Sequence, residues 1–299
     1  MAFVTDLLNE KHNFSCRGIL PDLRYRFLLA RNSAAAAEIG RLHNASAKVA
    51  ALMGETMMGS YFLSSHASKQ QKITVSLHLE CKGPLHRLIG TANNEGGIRC
   101  MASRPEADWD GDLYSGKGKG LLTVNRWRDD VTKVYSSTVE MREAPLYKNL
   151  EEYIGKSEQI QSFIKMESIY NDLDSLKVSG YFFQAMPDAS FEDTETVVNL
   201  LAEQSPDRML DQFLQIDQNV RTNFKSNPIF HNIKILGSGK FFHHCGCSRK
   251  KIESMLHALG REAAEESLLN YGQIEIQCEF CKKFYYFTEK DMASIFEGE

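Results

Sequence analysis

The sequence predicts an α+β protein in three parts: a mixed sheet-and-helix core over residues 1–188, an amphipathic helical linker over 189–242, and a small zinc-binding domain over 243–299. Three observations lead there. Up to Pro187, strand-like alternation and helical periodicity are interspersed without the regular rhythm of a doubly wound sheet. Beyond it, apolar residues recur at helical spacing among Asp, Glu and Gln. Finally, Cys245-Gly246-Cys247 and Cys278-Glu279-Phe280-Cys281 set a C-x-C and a C-x-x-C about one supersecondary unit apart. A chain of 299 residues exceeds one typical domain and has ample material for a core.

Residues 20–29 alternate, with Leu23, Tyr25 and Phe27 on one side, and predict an early strand. From Ser33, small helix formers take over. Ala34 to Ala37, Ile39 and Leu42, then Ala45, Val49, Leu52, Met53, Met57 and Tyr61, predict two helices, the first capped by Ser33. Gly40, Gly54 and Gly59 along them predict close packing, so the stripe reads as core. Residues 73–79 and 85–91 predict strands, and Asn93-Asn94-Glu95-Gly96-Gly97 a hairpin turn into 98–102, because Asn and Gly tolerate positive φ. Gly116-Lys117-Gly118-Lys119-Gly120 is glycine-rich like a phosphate loop. Such a loop needs a helix after it, whereas 121–127 predicts a strand, so a solvated turn is expected. Residues 131–141 predict a strand, 150–163 a helix carrying Ser157-Glu158-Gln159, and 178–186 a strand stopped by Pro187.

In the linker, Val197, Val198, Leu200 and Leu201, then Met209, Leu210, Phe213, Leu214 and Ile216, form two apolar stripes broken at Ser205-Pro206, in a helical pattern running to about residue 239. A stripe of this kind must be buried against a neighbour, which makes its docking a point of control. Farther on, 250–259 predicts a helix ended by Gly260 and 263–269 a second ended near Gly272. Residues 273–277 and 284–287 predict short strands bracketing the second cysteine pair like a zinc knuckle. Thr288 and Asp291 signal the cap of a final helix reaching Phe296.

Two close cysteine pairs can bring four sulfurs to the corners of a tetrahedron, the geometry of a closed structural Zn²⁺ site. Thiolates select zinc, Cu(I) or iron-sulfur over hard ions. The candidate ligands are Cys245, Cys247, Cys278 and Cys281, with one Zn²⁺ per chain; four buried thiols or two structural disulfides are the alternatives. Cys16, Cys81 and Cys100 are isolated and read as ordinary thiols, and His43, His66, His78 and His86 share no metal spacing. No nucleophile accompanies Ser157-Glu158-Gln159, so no catalytic site is expected. A net charge of -4, with seven Lys+Arg against ten Asp+Glu over 243–299, weighs against nucleic-acid binding. Asp6, Glu10 and Lys11 interrupt the place of a signal peptide's apolar core, and no run is long enough to span a membrane. A cytoplasmic protein is expected, where reducing conditions leave clustered thiols for metal binding or redox sensing.

Cys245-Gly246-Cys247-Ser248-Arg249, and Cys278-Glu279-Phe280-Cys281 followed by Tyr285 and Phe287, resemble the C-x-C-S-R run and C-x-x-C hairpin of the 33-kilodalton heat-shock protein family of redox-regulated holdase chaperones. Gly120-Leu121-Leu122-Thr123-Val124, Tyr153 with Ser157-Glu158-Gln159, and Gln184 with Pro187 resemble that family's core landmarks in the same order. Two places depart from the pattern. Ser179-Gly180 stands where paired glycines are common, and His243-His244 where an aromatic and a polar residue are commoner; the second makes a histidine a competing candidate ligand. The resemblance implies an ATP-independent holdase, inactive when reduced and zinc-bound, and active as a homodimer that binds unfolded client proteins after oxidation and zinc release. It also implies redox disulfides Cys245 with Cys247 and Cys278 with Cys281, which agrees with capture of an oxidised sulfur by its near neighbour. Two rivals remain. One is a zinc-ribbon nucleic-acid binder using Arg249, Lys250, Lys251, Lys282 and Lys283; the other is a thiol oxidoreductase, whose C-x-x-C would open a helix in a βαβ unit.

Overall fold

Apolar residues at alternate positions place two strands, not one, at the start of the chain. The computed structural model describes residues 12–65, 71–128, 131, 133–218 and 232–296, with no side-chain description for 215–218. Asp6, Glu10, Lys11, His66, the Ile216 side chain and the 219–231 part of the expected linker lie outside these. Strands β1 (Phe14–Leu20) and β2 (Tyr25–Arg31) pair antiparallel from Phe14↔Arg31 to Leu20↔Tyr25. Pro21, which has no N–H for a ladder, opens the 3₁₀ turn Pro21–Leu23 between them, so Leu23 sits in the turn.

Helices α1 (Ser33–Leu42) and α2 (Ala47–Ser64) follow as expected. The first cap differs. Ser33 lies inside α1, with Asn32 at the cap position; Ser33 Oγ instead accepts the Val178 N–H at 2.9 Å, and the Asn32 amide donates to the Gly54 carbonyl at 2.9 Å. A tertiary strand contact has outcompeted the local cap. Helix α2 is buried on every side from Val49 to Ser64, as a central core helix must be. A Cβ on Gly54 would stand 2.8 Å from Val178 and 2.9 Å from Ala36, so only glycine permits that approach.

The remaining strands are β3 (Ile73–Cys81), β4 (Arg87–Asn93), β5 (Gly97–Ala102), β6 (Gly120–Arg128), β7 (Val134–Met141), β8 (Ser162–Ile169), β9 (Lys177–Ala185), β10 (Lys234–Gly239) and β11 (Phe242–His243). They form a five-stranded sheet, β10-β1-β2-β9-β8, and a six-stranded sheet, β11-β5-β4-β3-β6-β7. Helix α2 packs on β3, β4 and β5 of one and on β8 and β9 of the other. The Asn93 turn forms as expected: Asn93 Oδ1 accepts the N–H of Glu95 at 3.0 Å and of Gly97 at 2.9 Å, and Gly96 has φ 95°.

Three expectations are corrected. The helix expected over 150–163 is α3 (Leu146–Ser157); Gln159 turns at φ 54° and Phe163 belongs to β8. The Gly116–Gly120 loop is buried over its first three residues, with Lys119 exposed. Lys117 is 0% exposed and its Nζ donates to the Arg142 carbonyl at 2.7 Å, while a Cβ on Gly116 would fall 2.2 Å from Trp109. The helical pattern expected to about residue 239 gives way to a strand before it: beyond the described helices α4 (Phe191–Ala202) and α5 (Pro206–Gln218), Lys234–Gly239 is β10, which pairs antiparallel with β1.

The chain divides into two compact units, Met1–His243 and His244–Glu299. In the larger, Val197 and Leu201 of α4 and Met209, Leu210, Phe213 and Leu214 of α5 bury against Phe14, Phe27 and Phe183 of the five-stranded sheet. In the smaller, α6 (Arg249–Leu259), α7 (Arg261–Tyr271), β12 (Ile274–Gln277), β13 (Phe284–Phe287) and α8 (Glu289–Ile295) surround eight buried apolar residues. Gly260 and Gly272 end their helices at φ 98° and 76°, and Thr288 and Asp291 form a reciprocal capping box, as expected.

A charged residue sits in the middle of α2. Glu55 is 0% exposed; its Oε1 accepts from Ser168 Oγ at 2.8 Å and Tyr114 Oη at 3.2 Å, and its Oε2 has no partner among the described residues. Burial pushes the carboxyl up to about 7, against the opposing pull of those hydroxyls and Lys117. The native state therefore keeps a proton that an unfolded glutamate releases near 4.5, and stability falls as pH rises from 4.5 through 7. Glu55→Gln is expected to abolish that fall, so that by pH 8 wild type has lost on the order of 3 kcal/mol that the variant keeps. Denaturant midpoints of both proteins at pH 5 and 8 check this; parallel pH profiles would refute it.

Candidate metal centre

Each cysteine pair is positioned by a short-range device. Ser248 caps α6 by accepting the Lys251 N–H at 3.3 Å, so the C-x-C run stands just before the helix start, and Lys251 Nζ ties that run down by donating to the Gly246 carbonyl at 2.7 Å. The C-x-x-C pair occupies the turn between β12 and β13. There the Lys282 N–H donates to the Cys278 carbonyl at 2.8 Å, the Cys278 N–H to the Lys283 carbonyl at 2.9 Å, and Lys282 takes φ 56°. Arg249 joins the two halves: its guanidinium lies 4.4 Å over the Phe287 ring and donates to the Tyr286 carbonyl at 2.9 Å and to Asp291 at 2.6 Å.

These devices bring the four sequence-predicted sulfurs together. Cys245 Sγ lies 3.6 Å from Cys278 Sγ and Cys247 Sγ 3.3 Å from Cys281 Sγ, and all four are within 4.8 Å of one another. None of the four is in a disulfide. Zinc–sulfur bonds of ~2.3 Å at tetrahedral angles set sulfurs about 3.8 Å apart, so the spacing and the soft donor set fit Zn²⁺. Burial pushes the Cys281 thiol up to about 12; the Lys283 N–H opposes this, and the three neighbouring sulfurs add to it. Sulfurs this crowded cannot all ionise unless a cation joins them.

The cluster consists of the four cysteines, with neither His243 nor His244 among its members. His243 lies in β11, opposite Ile98. Cys16 and Cys100 are buried in the larger unit and Cys81 is partly buried, and burial pushes the Cys16 and Cys81 thiols up to about 12, as suits unreactive groups. One contact escaped the sequence reading: Tyr285 Oη donates to Cys247 Sγ at 3.2 Å. Its signal was the alternation of 284–287, which turns Tyr285 and Phe287 inward together.

A family model described as Hsp33 protein matches residues 14–288. The chain belongs to the Hsp33 family. Relatives named 33 kDa chaperonin include one from Thermodesulfovibrio yellowstonii, 28% identical over 265 residues and covering 85% of this chain and 88% of that one. Another, from Bacillus subtilis, is 24% identical, covering 95% of this chain and 98% of that one. The crystal structure of the 33 kDa chaperonin from Thermotoga maritima shares the fold, with a TM-score of 0.78 at 20% identity over 96% of this chain and 98% of that one. Membership in the Hsp33 chaperone family agrees with local geometry against both rivals. Arg249 and Lys251 are engaged inside the small unit, and the C-x-x-C pair lies in a strand–turn–strand knuckle where an oxidoreductase motif would open a helix. No helix among the described residues is long and apolar enough to cross a membrane.

Proposed function

We propose that this Hsp33 family member is an ATP-independent holdase of a reducing, cytoplasmic compartment, inactive while Cys245, Cys247, Cys278 and Cys281 are reduced and hold Zn²⁺, and active as a homodimer after their oxidation. The observation that carries the reading is the convergence of four sulfurs in a unit with only eight buried apolar residues in its described core. So small a core needs its metal to stay folded. Bound Zn²⁺ supplies charge that keeps the sulfurs as thiolates at neutral pH, the form that oxidants attack.

The redox step is a two-electron oxidation per pair. A thiolate attacks a peroxide oxygen, the O–O bond breaks, and sulfenic acid and hydroxide form. The neighbouring thiol then attacks the sulfenic sulfur; an S–S bond forms and water leaves with the thiol's proton. A second equivalent of oxidant closes the other pair. In the folded cluster, contacts of 3.6 Å and 3.3 Å run across the pairs, Cys245 to Cys278 and Cys247 to Cys281. Once the unit loosens, those partners are some thirty residues apart along the chain, whereas Cys245 with Cys247 and Cys278 with Cys281 stay adjacent, so loop closure favours the near neighbours. A disulfide spanning one intervening residue is strained and readily reduced, which suits a reversible switch.

Client-binding surface comes from beneath α4 and α5. Phe213, Leu214, Met209 and Val197 are buried against the five-stranded sheet, and their undocking would present apolar faces to unfolded chains and to a second copy. The test measures zinc and free thiols before and after hypochlorite while light scattering follows aggregation of a denatured client. Suppression by the oxidised, zinc-free form alone is expected; equal suppression by the reduced zinc form would sink the switch.

A further inference from the structure

Tyr285 holds an inward position on β13, 6% exposed, opposite Ile276 of β12. Phenylalanine would serve that position as packing, as it does two residues on at Phe287, which is 0% exposed. What the phenol adds is a donor, and its O–H is aimed at Cys247 Sγ, 3.2 Å away. Lys283 Nζ stands 5.3 Å from the centre of the same ring, where its charge strengthens the hydroxyl as a donor. A hydrogen bond to a sulfur anion stabilises the charge and draws on the lone pair that an electrophile must meet. A thiolate so held attacks more slowly.

We propose that Tyr285 sets the order in which the four sulfurs react, holding Cys247 back so that oxidation begins at another cysteine. The assignment rests on the four-thiolate reading above. Tyr285 is a positioning residue: the reacting thiolate takes an oxygen from peroxide, the O–O bond breaks and hydroxide leaves, with no proton drawn from the phenol. The hydroxyl lowers only the readiness of one sulfur to begin. Cys247 thereby remains a reduced partner for Cys245 when that sulfur is oxidised.

The test treats reduced, zinc-loaded full-length protein with substoichiometric hydrogen peroxide in the presence of dimedone, which traps each sulfenic acid before its neighbour can capture it, and follows first oxidation at each cysteine by peptide mass spectrometry. In wild type, Cys247 should react about tenfold more slowly than the fastest of the other three, a loss of roughly one charged hydrogen bond's worth of reactivity. In Tyr285→Phe its rate should rise about tenfold, with zinc content unchanged. A Cys247 that is fastest in wild type, or whose rate Tyr285→Phe leaves alone, overturns the proposal. Should that variant fail to fold, 3-fluorotyrosine at position 285, a stronger donor, must slow Cys247 further; an unchanged rate overturns the proposal equally. A wild-type chain that binds no zinc yet shows the Cys247 lag, abolished in Tyr285→Phe, would overturn the four-thiolate reading while supporting the role of Tyr285.

Discussion

Cys278→Ser is expected to unfold the C-terminal unit while leaving the larger unit folded. The two units are separate bodies of contacts, and the smaller is poorly supplied with apolar burial. Met255 and Leu259 of α6 are 63% and 64% exposed, and Leu269 and Tyr271 of α7 are 88% and 79% exposed, so both helices leave large side chains outside their own core. Helix α8 has seven residues and β12 and β13 four each, lengths that do not persist alone. Against this deficit, metal binding in comparable zinc peptides contributes roughly 10–16 kcal/mol. Losing one of four sulfurs should forfeit enough of that to tip the unit over. Limited proteolysis and hydrogen exchange should show cutting and lost protection over 244–296, with strands β1 to β9 still protected, and a chelator should reproduce the pattern in wild type. Undiminished protection of α6 and β13 in zinc-free protein would mean that the sulfurs are incidental to the fold.

That site was legible in the sequence because its determinants are local. Cysteine spacing, the Gly260 and Gly272 stops and the Thr288–Asp291 cap all act within a few residues, and each is where local rules put it. What the sequence hid depends on distant partners. Lys234–Gly239 carries two glycines and is a strand because β1, more than two hundred residues earlier, offers it a ladder. Ser33 has the chemistry of a cap, yet Val178 claims its hydroxyl. Lys117 reads as a solvent-loving loop residue and is buried because the carbonyls of Arg142 and Gly118 receive its ammonium group. Tyr285 could be placed inward by alternation, but its aim at one sulfur emerges only when α6 and the knuckle meet.

Arg31→Met is expected to release α5 and give holdase activity in the reduced, zinc-loaded protein. The Arg31 side chain is 5% exposed at the end of β2, and it fixes α5 by charge. Its Nη2 donates to Asp207 Oδ1 at 2.6 Å, to Asp211 Oδ1 at 2.8 Å and to the Asp207 carbonyl at 3.2 Å, while Nε donates to Ser179 Oγ at 3.2 Å. Ser179 Oγ in turn donates a hydrogen bond to Asp207 Oδ1 at 2.8 Å, Lys177 stands 3.4 Å from Oδ2, and Glu167 accepts from Ser205 Oγ at 2.7 Å beside them. Burial alone would raise the Asp207 carboxyl; Ser179, Arg31 and Lys177 together hold it below its usual 3.8. That contribution is in place above 3.8 and disappears as pH falls through the lower folded value. Removing Arg31 leaves Asp207 and Asp211 without its charge, Glu167 beside Asp207, and Lys177 3.4 Å from Asp207 Oδ2, and breaking a buried pair from one side costs about 3–5 kcal/mol. Met209, Leu210, Phe213 and Leu214 hang on the same helix, so a cost of that size competes directly with their burial. The variant should lose amide protection over 206–218 and suppress client aggregation with all thiols reduced. Arg31→Met combined with Asp207→Leu, which removes the two buried charges and leaves only the half-exposed Asp211, should restore the reduced-state silence; if the single variant is silent and its α5 amides stay protected, charge is not what holds the helix down.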